Sequence, residues 1–230
     1  MIITSLDFDK PGRQQGFLQA PHSHNLGGWA NVMIPITVVA RGKGLTVLVL
    51  GGNHGDEYQG QIAAMKLSRD LTPGMVRGRI IIIPSLNFPA ARAATLLSPL
   101  VGMNLNRAFP GAADGTVTSQ IAHFLTTVLF PLSDVVIDIH SGGRSMEFAP
   151  CSHMHLVPDI EQRRKMLAAM LAWNSDFCFL YADIAGPGLL PAHFFHSVLG
   201  GHIVIGQAQH REETVGTAVG VVERLGVRVD

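Results

Sequence analysis

Apolar residues in this chain gather into short unbroken runs, separated by amphipathic or glycine-rich stretches. Residues 45–50 are a mostly apolar run closed by Gly51, and 79–83 are a β-branched run, Arg79 then four isoleucines, closed by Pro84. Runs of this kind fit strands covered on both faces by helices. Residues 34–40, 134–139, 153–157, 177–181 and 202–205 read as further strands. Between them lie helical patterns. In residues 58–70, Ile62, Ala63 and Leu67, followed by Leu71, fall on one side, and Pro73-Gly74 ends the segment. Residues 116–130 form a second helix closed by Pro131. A third spans 159–173 with Asp159 as its N-cap, and a fourth is expected over 213–225. Strands alternating with helices predict an α/β fold, a three-layer sandwich with a mainly parallel mixed sheet. Strands 34–40 and 45–50, joined by Gly42-Lys43-Gly44, are expected to pair as a hairpin. Residues 1–31 are polar and glycine-rich and read as an N-terminal arm with short extended pieces. Residues 32–230 are expected to form one catalytic domain. The irregular stretch 85–113 is longer than an idle loop normally is.

Composition narrows the partners. The chain has 230 residues, 47% hydrophobic and 15% charged, which suits a large buried sheet. Lys+Arg and Asp+Glu number 17 each, a balance that points to neither nucleic acid nor an anionic membrane. No apolar run approaches the ~20 residues that span a bilayer. The first ten residues carry Asp7 and Asp9 and lack the layout of a signal peptide. Cys151 and Cys178 make no disulfide framework and no Cys-x-x-Cys site. These features predict a reduced, cytoplasmic setting and leave homo-oligomerisation open.

The chemistry concentrates where strands end. Gly51-Gly52-Asn53-His54-Gly55-Asp56-Glu57 follows strand 45–50 and precedes helix 58–70. Carboxyl ends of strands are where open α/β sheets bind ligands. His140 follows strand 134–139 in the same way. His54, Glu57 and His140 therefore read as three ligands of a metal, most readily Zn2+. Catalytic zinc takes three such ligands and keeps an open position for water. Either histidine alone would more simply satisfy loop backbone groups. Asp138, two residues before His140, lies on the same side of the strand. It is placed either to fix the tautomer of a ligand imidazole or to bond loop amides. Asn106 and Arg107 lie in the long loop. There Arg107 is suited either to clamping a substrate carboxylate or to an ion pair within its own loop. His153 and His155 share one strand face, and Met154, Met166 and Met170 read as core fillers.

Three segments then fit together: His54-Gly55-Asp56-Glu57, Asn106-Arg107-Ala108-Phe109-Pro110-Gly111 and Asp138-Ile139-His140-Ser141-Gly142-Gly143. In this order they resemble the succinylglutamate desuccinylase/aspartoacylase family, whose fold is like that of zinc carboxypeptidases. The likeness runs from about Gly16 to Gly226 and is nearest to the branch of ectoine-degradation deacetylases acting on N-acetyl-diaminobutyrate. It implies zinc on His54, Glu57 and His140, and a substrate carboxylate on Asn106 and Arg107. It also implies hydrolysis of an N-acyl (acetyl or succinyl) amino acid, a small-molecule substrate. The sequence departs from the family pattern in three places. Thr95-Leu96 stands where the family has Thr-Arg, with Arg92 nearby. Ala208 stands where a general-base Glu is expected. The sequence ends at Asp230, where many relatives continue into a β-rich domain. Glu212, Glu213 and His210 are the candidate substitutes for the missing base; otherwise Glu212 and Glu213 are first-turn acids of the helix that follows. The alternative implied is a weakened or inactive metal-binding member that holds a small carboxylate ligand or a partner. An esterase or carboxypeptidase-like activity from the same site is a third reading.

Overall fold

The computed structural model describes residues 1–181 and the backbone of 202–206. Among the described residues eight strands form one sheet: β1 (Gly12–Pro21), β2 (Asn31–Arg41), β3 (Thr46–Gly51), β4 (Gly78–Ile83), β5 (Val135–His140), β6 (Cys151–His155), β7 (Phe177–Tyr181) and β8 (His202–Gly206). Their order is β1-β2-β4-β3-β5-β8-β6-β7. The central ladders β4–β3, β3–β5 and β5–β8 are parallel, as is β6–β7. The pairs β1–β2, β2–β4 and β6–β8 are antiparallel.

Among the described residues four helices accompany them: α1 (Tyr58–Asp70), α2 (Phe88–Ala93), α3 (Val117–Phe124), which runs on into a π-helical turn over Leu125–Leu129, and α4 (Ile160–Trp173). Thr116 caps α3 by accepting from the Ser119 N–H. Asp159 caps α4 by accepting from the Gln162 N–H. Alternation along the strands splits the core into two layers. Leu48, Leu50, Ile81 and Ile83 meet Val117, Ile121 and Ala122 of α3 on one face. Val47, Val49, Ile80 and Ile82 meet Ala64 and Leu67 of α1 and Met166 and Met170 of α4 on the other. Each such fully buried side chain contributes roughly 1.5–3 kcal/mol of hydrophobic stabilisation.

Three expectations change. The hairpin between β2 and β3 does not form, because β4 lies between them. Residues 42–45 step across one strand width, and Gly44 passes so close that a Cβ would lie 2.7 Å from the Arg77 carbonyl oxygen. The expected arm contains a ten-residue strand, β1, paired with β2 along its length. The long stretch 85–113 holds the short helix α2 and a 3-10 turn over Leu105–Arg107. The helix expected over 213–225 lies outside the described residues.

Strand order reverses beside β3. The connection through α1 leads to β4 on one side, and the one through α3 leads to β5 on the other. Such a switch point opens a crevice at the carboxyl ends of the two strands. Gly51 and Ile139 are direct neighbours there.

Candidate metal centre

At the end of β3 the chain turns through Gly52, whose φ of +68° only glycine adopts freely. The turn is tied down by the Leu86 and Asn87 N–H groups, which donate to the Gly51 and Gly52 carbonyls at 2.9 Å. Gly55 lies against α2, where a Cβ would sit 2.0 Å from the Ala90 backbone carbon. Gly60 plays the same part for α1, since its Cβ would sit 2.3 Å from the Ile139 carbonyl oxygen. These close approaches bring His54, on the loop, and Glu57, at the start of α1, up to His140 at the end of β5.

Glu57 is 7% exposed. Its Oε1 lies 2.7 Å from His54 Nδ1 and its Oε2 lies 2.8 Å from His140 Nδ1. The Ser141 N–H also donates to Oε2, at 3.0 Å. The ligand atoms of His54, Glu57 and His140 lie within 4.8 Å of one another, and the three could hold a metal ion.

The outer nitrogens decide the chemistry. His140 Nε2 lies 2.9 Å from Asp138 Oδ2, and His54 Nε2 lies 3.2 Å from Asn104 Oδ1. Both oxygens accept only. The Asn106 backbone N–H donates to the same Asn104 atom at 2.9 Å, which marks it as the oxygen. Each ring therefore carries a proton on Nε2 and turns Nδ1 toward Glu57. Without a metal, Nδ1 of each ring carries a proton to donate to Glu57; with a metal bound, the two Nδ1 lone pairs and the carboxylate face it together. A cation between them, a proton or a metal, is what stabilises such a group, and this donor set fits zinc.

Charge follows the same geometry. Burial pushes the Glu57 carboxyl up, but hydrogen bonds from His140 and His54 outweigh it and hold the group at about 2. Burial works against charge on His140, yet Asp138 and Glu57 raise it well above the ordinary imidazole value. His153, on β6, is pushed down to about 4 by burial, then by His140 and His155.

Asn106 and Arg107 lie in the 3-10 turn beside this cluster. Asn104 caps that turn through its bond to the Asn106 N–H. Arg107 is exposed and has no ion pair among the described residues, so the pair within its own loop does not form there. Asp138 is 1% exposed and shares a side of β5 with His140. Arg92 is elsewhere. It lines a cleft of about 560 Å³ between α2 and residues 22–33 that contains none of His54, Glu57 and His140. Ala208, His210, Glu212 and Glu213 lie outside the described residues. Two residues of the site carried no role in the sequence reading, Asn53 and Asn104. The signal for Asn104 was its spacing of two before Asn106 at the start of a turn. Nothing in the spacing singled out Asn53.

A family model described as the succinylglutamate desuccinylase/aspartoacylase catalytic domain matches residues 43–197. The chain belongs to the succinylglutamate desuccinylase/aspartoacylase family. Within that family it is 46% identical over 188 residues to the N-alpha-acetyl-L-2,4-diaminobutyric acid deacetylase of Halomonas elongata. That alignment covers 82% of the chain and 55% of the relative. The chain thus spans about half the length of the curated relative it matches. A succinylglutamate desuccinylase/aspartoacylase structure from Rhodobacter sphaeroides superposes with a TM-score of 0.86 at 37% identity, over 99% of this chain and 69% of the other. The product-bound ectoine utilization protein EutE (DoeB) of Ruegeria pomeroyi gives a TM-score of 0.88 at 34% identity, over 100% of this chain and 72% of the other. The family's zinc carboxypeptidase-like architecture is the three-layer mixed sheet described above. No helix among the described residues is long and apolar enough to cross a membrane.

Proposed function

We propose that this chain is a zinc-dependent deacylase that hydrolyses the amide of an N-acyl amino acid, with N-acetyl-2,4-diaminobutyrate as the first candidate. The observation that carries the reading is the convergence of His54 Nδ1, His140 Nδ1 and the Glu57 carboxylate, with both Nε2 atoms facing acceptors. The relationship to the Halomonas deacetylase supports the substrate class. His54, Glu57 and His140 would hold the zinc. When bound, zinc supplies Lewis-acid polarisation of a carbonyl and activation of water. Asn104 and Asp138 keep the two imidazoles in the tautomer this requires. Arg107, with no ion pair among the described residues, and Asn106 receive the substrate carboxylate and orient the amide. Glu57 and Asp138 are both engaged by histidine; we assign proton transfer to Glu212 or Glu213, which lie outside the described residues.

Ala208 favours a second reading, a metal-binding member with little hydrolase activity, because losing a general base costs about 10²–10⁴-fold in rate. The test is release of free amine from N-acetyl and N-succinyl amino acids by the zinc-loaded chain. Release that disappears with chelation, and that falls at low substrate in Arg107→Ala, supports the deacylase. A zinc-loaded chain that releases no amine from any of them leaves the binding reading.

A further inference from the structure

Asn53 sits beneath the site, 1% exposed, between the substrate loop and the metal cluster. Its single side-chain nitrogen donates twice, to Asn106 Oδ1 at 2.6 Å and to Asp138 Oδ2 at 2.9 Å. The direction of this chain of bonds is set by chemistry. Asp138 already accepts from the His140 Nε2–H and presents only acceptors. Asn53 must therefore turn its NH2 group toward Asp138. The second hydrogen of that group points at Asn106, which must answer with its oxygen. The Asn106 NH2 is then turned away from Asn53, and it has no partner among the described residues. Were Asn53 reversed, its oxygen would face the Asp138 carboxylate and the Asn106 oxygen together, two repulsive contacts in a buried place.

We infer that Asn53 is a positioning residue that couples the two halves of the site, holding Asp138 against the metal-binding imidazole and the Asn106 amide with its N–H groups toward the substrate carboxylate. This rests on the deacylase reading for the identity of the ligand but not for the metal half. Asn53 itself touches neither metal nor substrate. Its effect runs through Asp138 on one side and Asn106 on the other.

The experiment measures two affinities in the 230-residue chain. Zinc affinity is read by competition with a chromogenic chelator. Binding of N-acetyl-L-2,4-diaminobutyrate to the zinc-loaded chain is read by calorimetry. Asn53→Leu removes both donors at near-constant size, and Asn53→Asp replaces the shared donor with an acceptor while keeping the shape. Both variants are expected to weaken zinc by about threefold or more, less than loss of Asp138 itself, because Asn53 acts on the ligand imidazole only through that carboxylate. Both are expected to weaken the ligand by about tenfold. Asn106→Ala is expected to weaken the ligand alone. In Asn53→Leu/Asn106→Ala the ligand losses are expected not to add, because Asn53 reaches the ligand only through Asn106. A residue that merely filled space would lower the melting temperature and give additive losses. Zinc affinity within twofold of the parent in whichever Asn53 variants fold overturns the inference, whatever the ligand does. Fully additive ligand losses overturn it too. A parent chain that binds zinc but no N-acyl amino acid counts against the deacylase reading, and the zinc comparison still decides the role of Asn53.

Discussion

Individual atoms carry the case for a metal here. His54 and His140 are committed at Nε2 to Asn104 and Asp138, which leaves Nδ1 of each for Glu57 and whatever cation lies with it. Asp138→Asn would offer an NH2 group where His140 needs an acceptor. It is expected to weaken zinc about 10–100-fold while leaving the fold intact, as chelator competition and circular dichroism would report. Arg107→Ala is expected to raise KM for an N-acetyl amino acid by about 10–100-fold, the worth of a charge-assisted hydrogen bond. Arg107→Lys should fall between, because an ammonium cannot make the two-point contact. Steady-state kinetics on both variants checks this. The three candidate ligands were legible in the sequence because they lie in glycine-containing segments that follow apolar runs. Asn53 and Asn104 were not, because their parts depend on which ring nitrogen faces which oxygen.

Elements place those atoms by approaching more closely than side chains allow. Helix α1 rests on the end of β5 at Gly60 and the loop rests on α2 at Gly55. In an open helix Gly→Ala gains about 1 kcal/mol. Gly60→Ala is instead expected to lose on the order of 2 kcal/mol, because its Cβ would press on the Ile139 carbonyl, and to weaken zinc as Glu57 moves away from His140. Thermal unfolding and zinc affinity measured together test that link. Helix α1 was legible from its periodicity and the Pro73-Gly74 stop, α3 from the stop at Pro131, and α4 from its amphipathic pattern and the Asp159 cap. Helix α2 was hidden by its length of six residues and by Pro89 near its start. The link 42–45 looked like a hairpin turn because local sequence carries no sign that a third strand, β4, would enter between the two it joins.

At the scale of the whole molecule, the reversal of strand order beside β3 makes the crevice, and the two core layers hold the sheet that frames it. The sheet also carries a pH response. Burial keeps His153 neutral down to about 4 in the folded chain, whereas an unfolded imidazole titrates near 6.5. The stability this gives is complete above about pH 6.5 and is lost as pH falls toward 4, by at most about 3 kcal/mol. Glu57, depressed to about 2, adds a loss at still lower pH. His140, raised, acts in the opposite sense, lending stability at low pH that fades as pH climbs through its elevated value. Denaturation midpoints of the metal-free chain and of His153→Gln, compared from pH 7 to pH 4, isolate the first contribution. The parent is expected to lose more stability over that interval than the variant.

The most direct measurement is X-ray absorption at the zinc edge on the chain purified without chelator. About one zinc per chain is expected, in a shell of nitrogen and oxygen at roughly 2.0–2.2 Å, with imidazole scattering from two rings that diminishes in His140→Ala. A chain that holds no zinc, or a zinc bound through sulfur at roughly 2.3 Å, would contradict it.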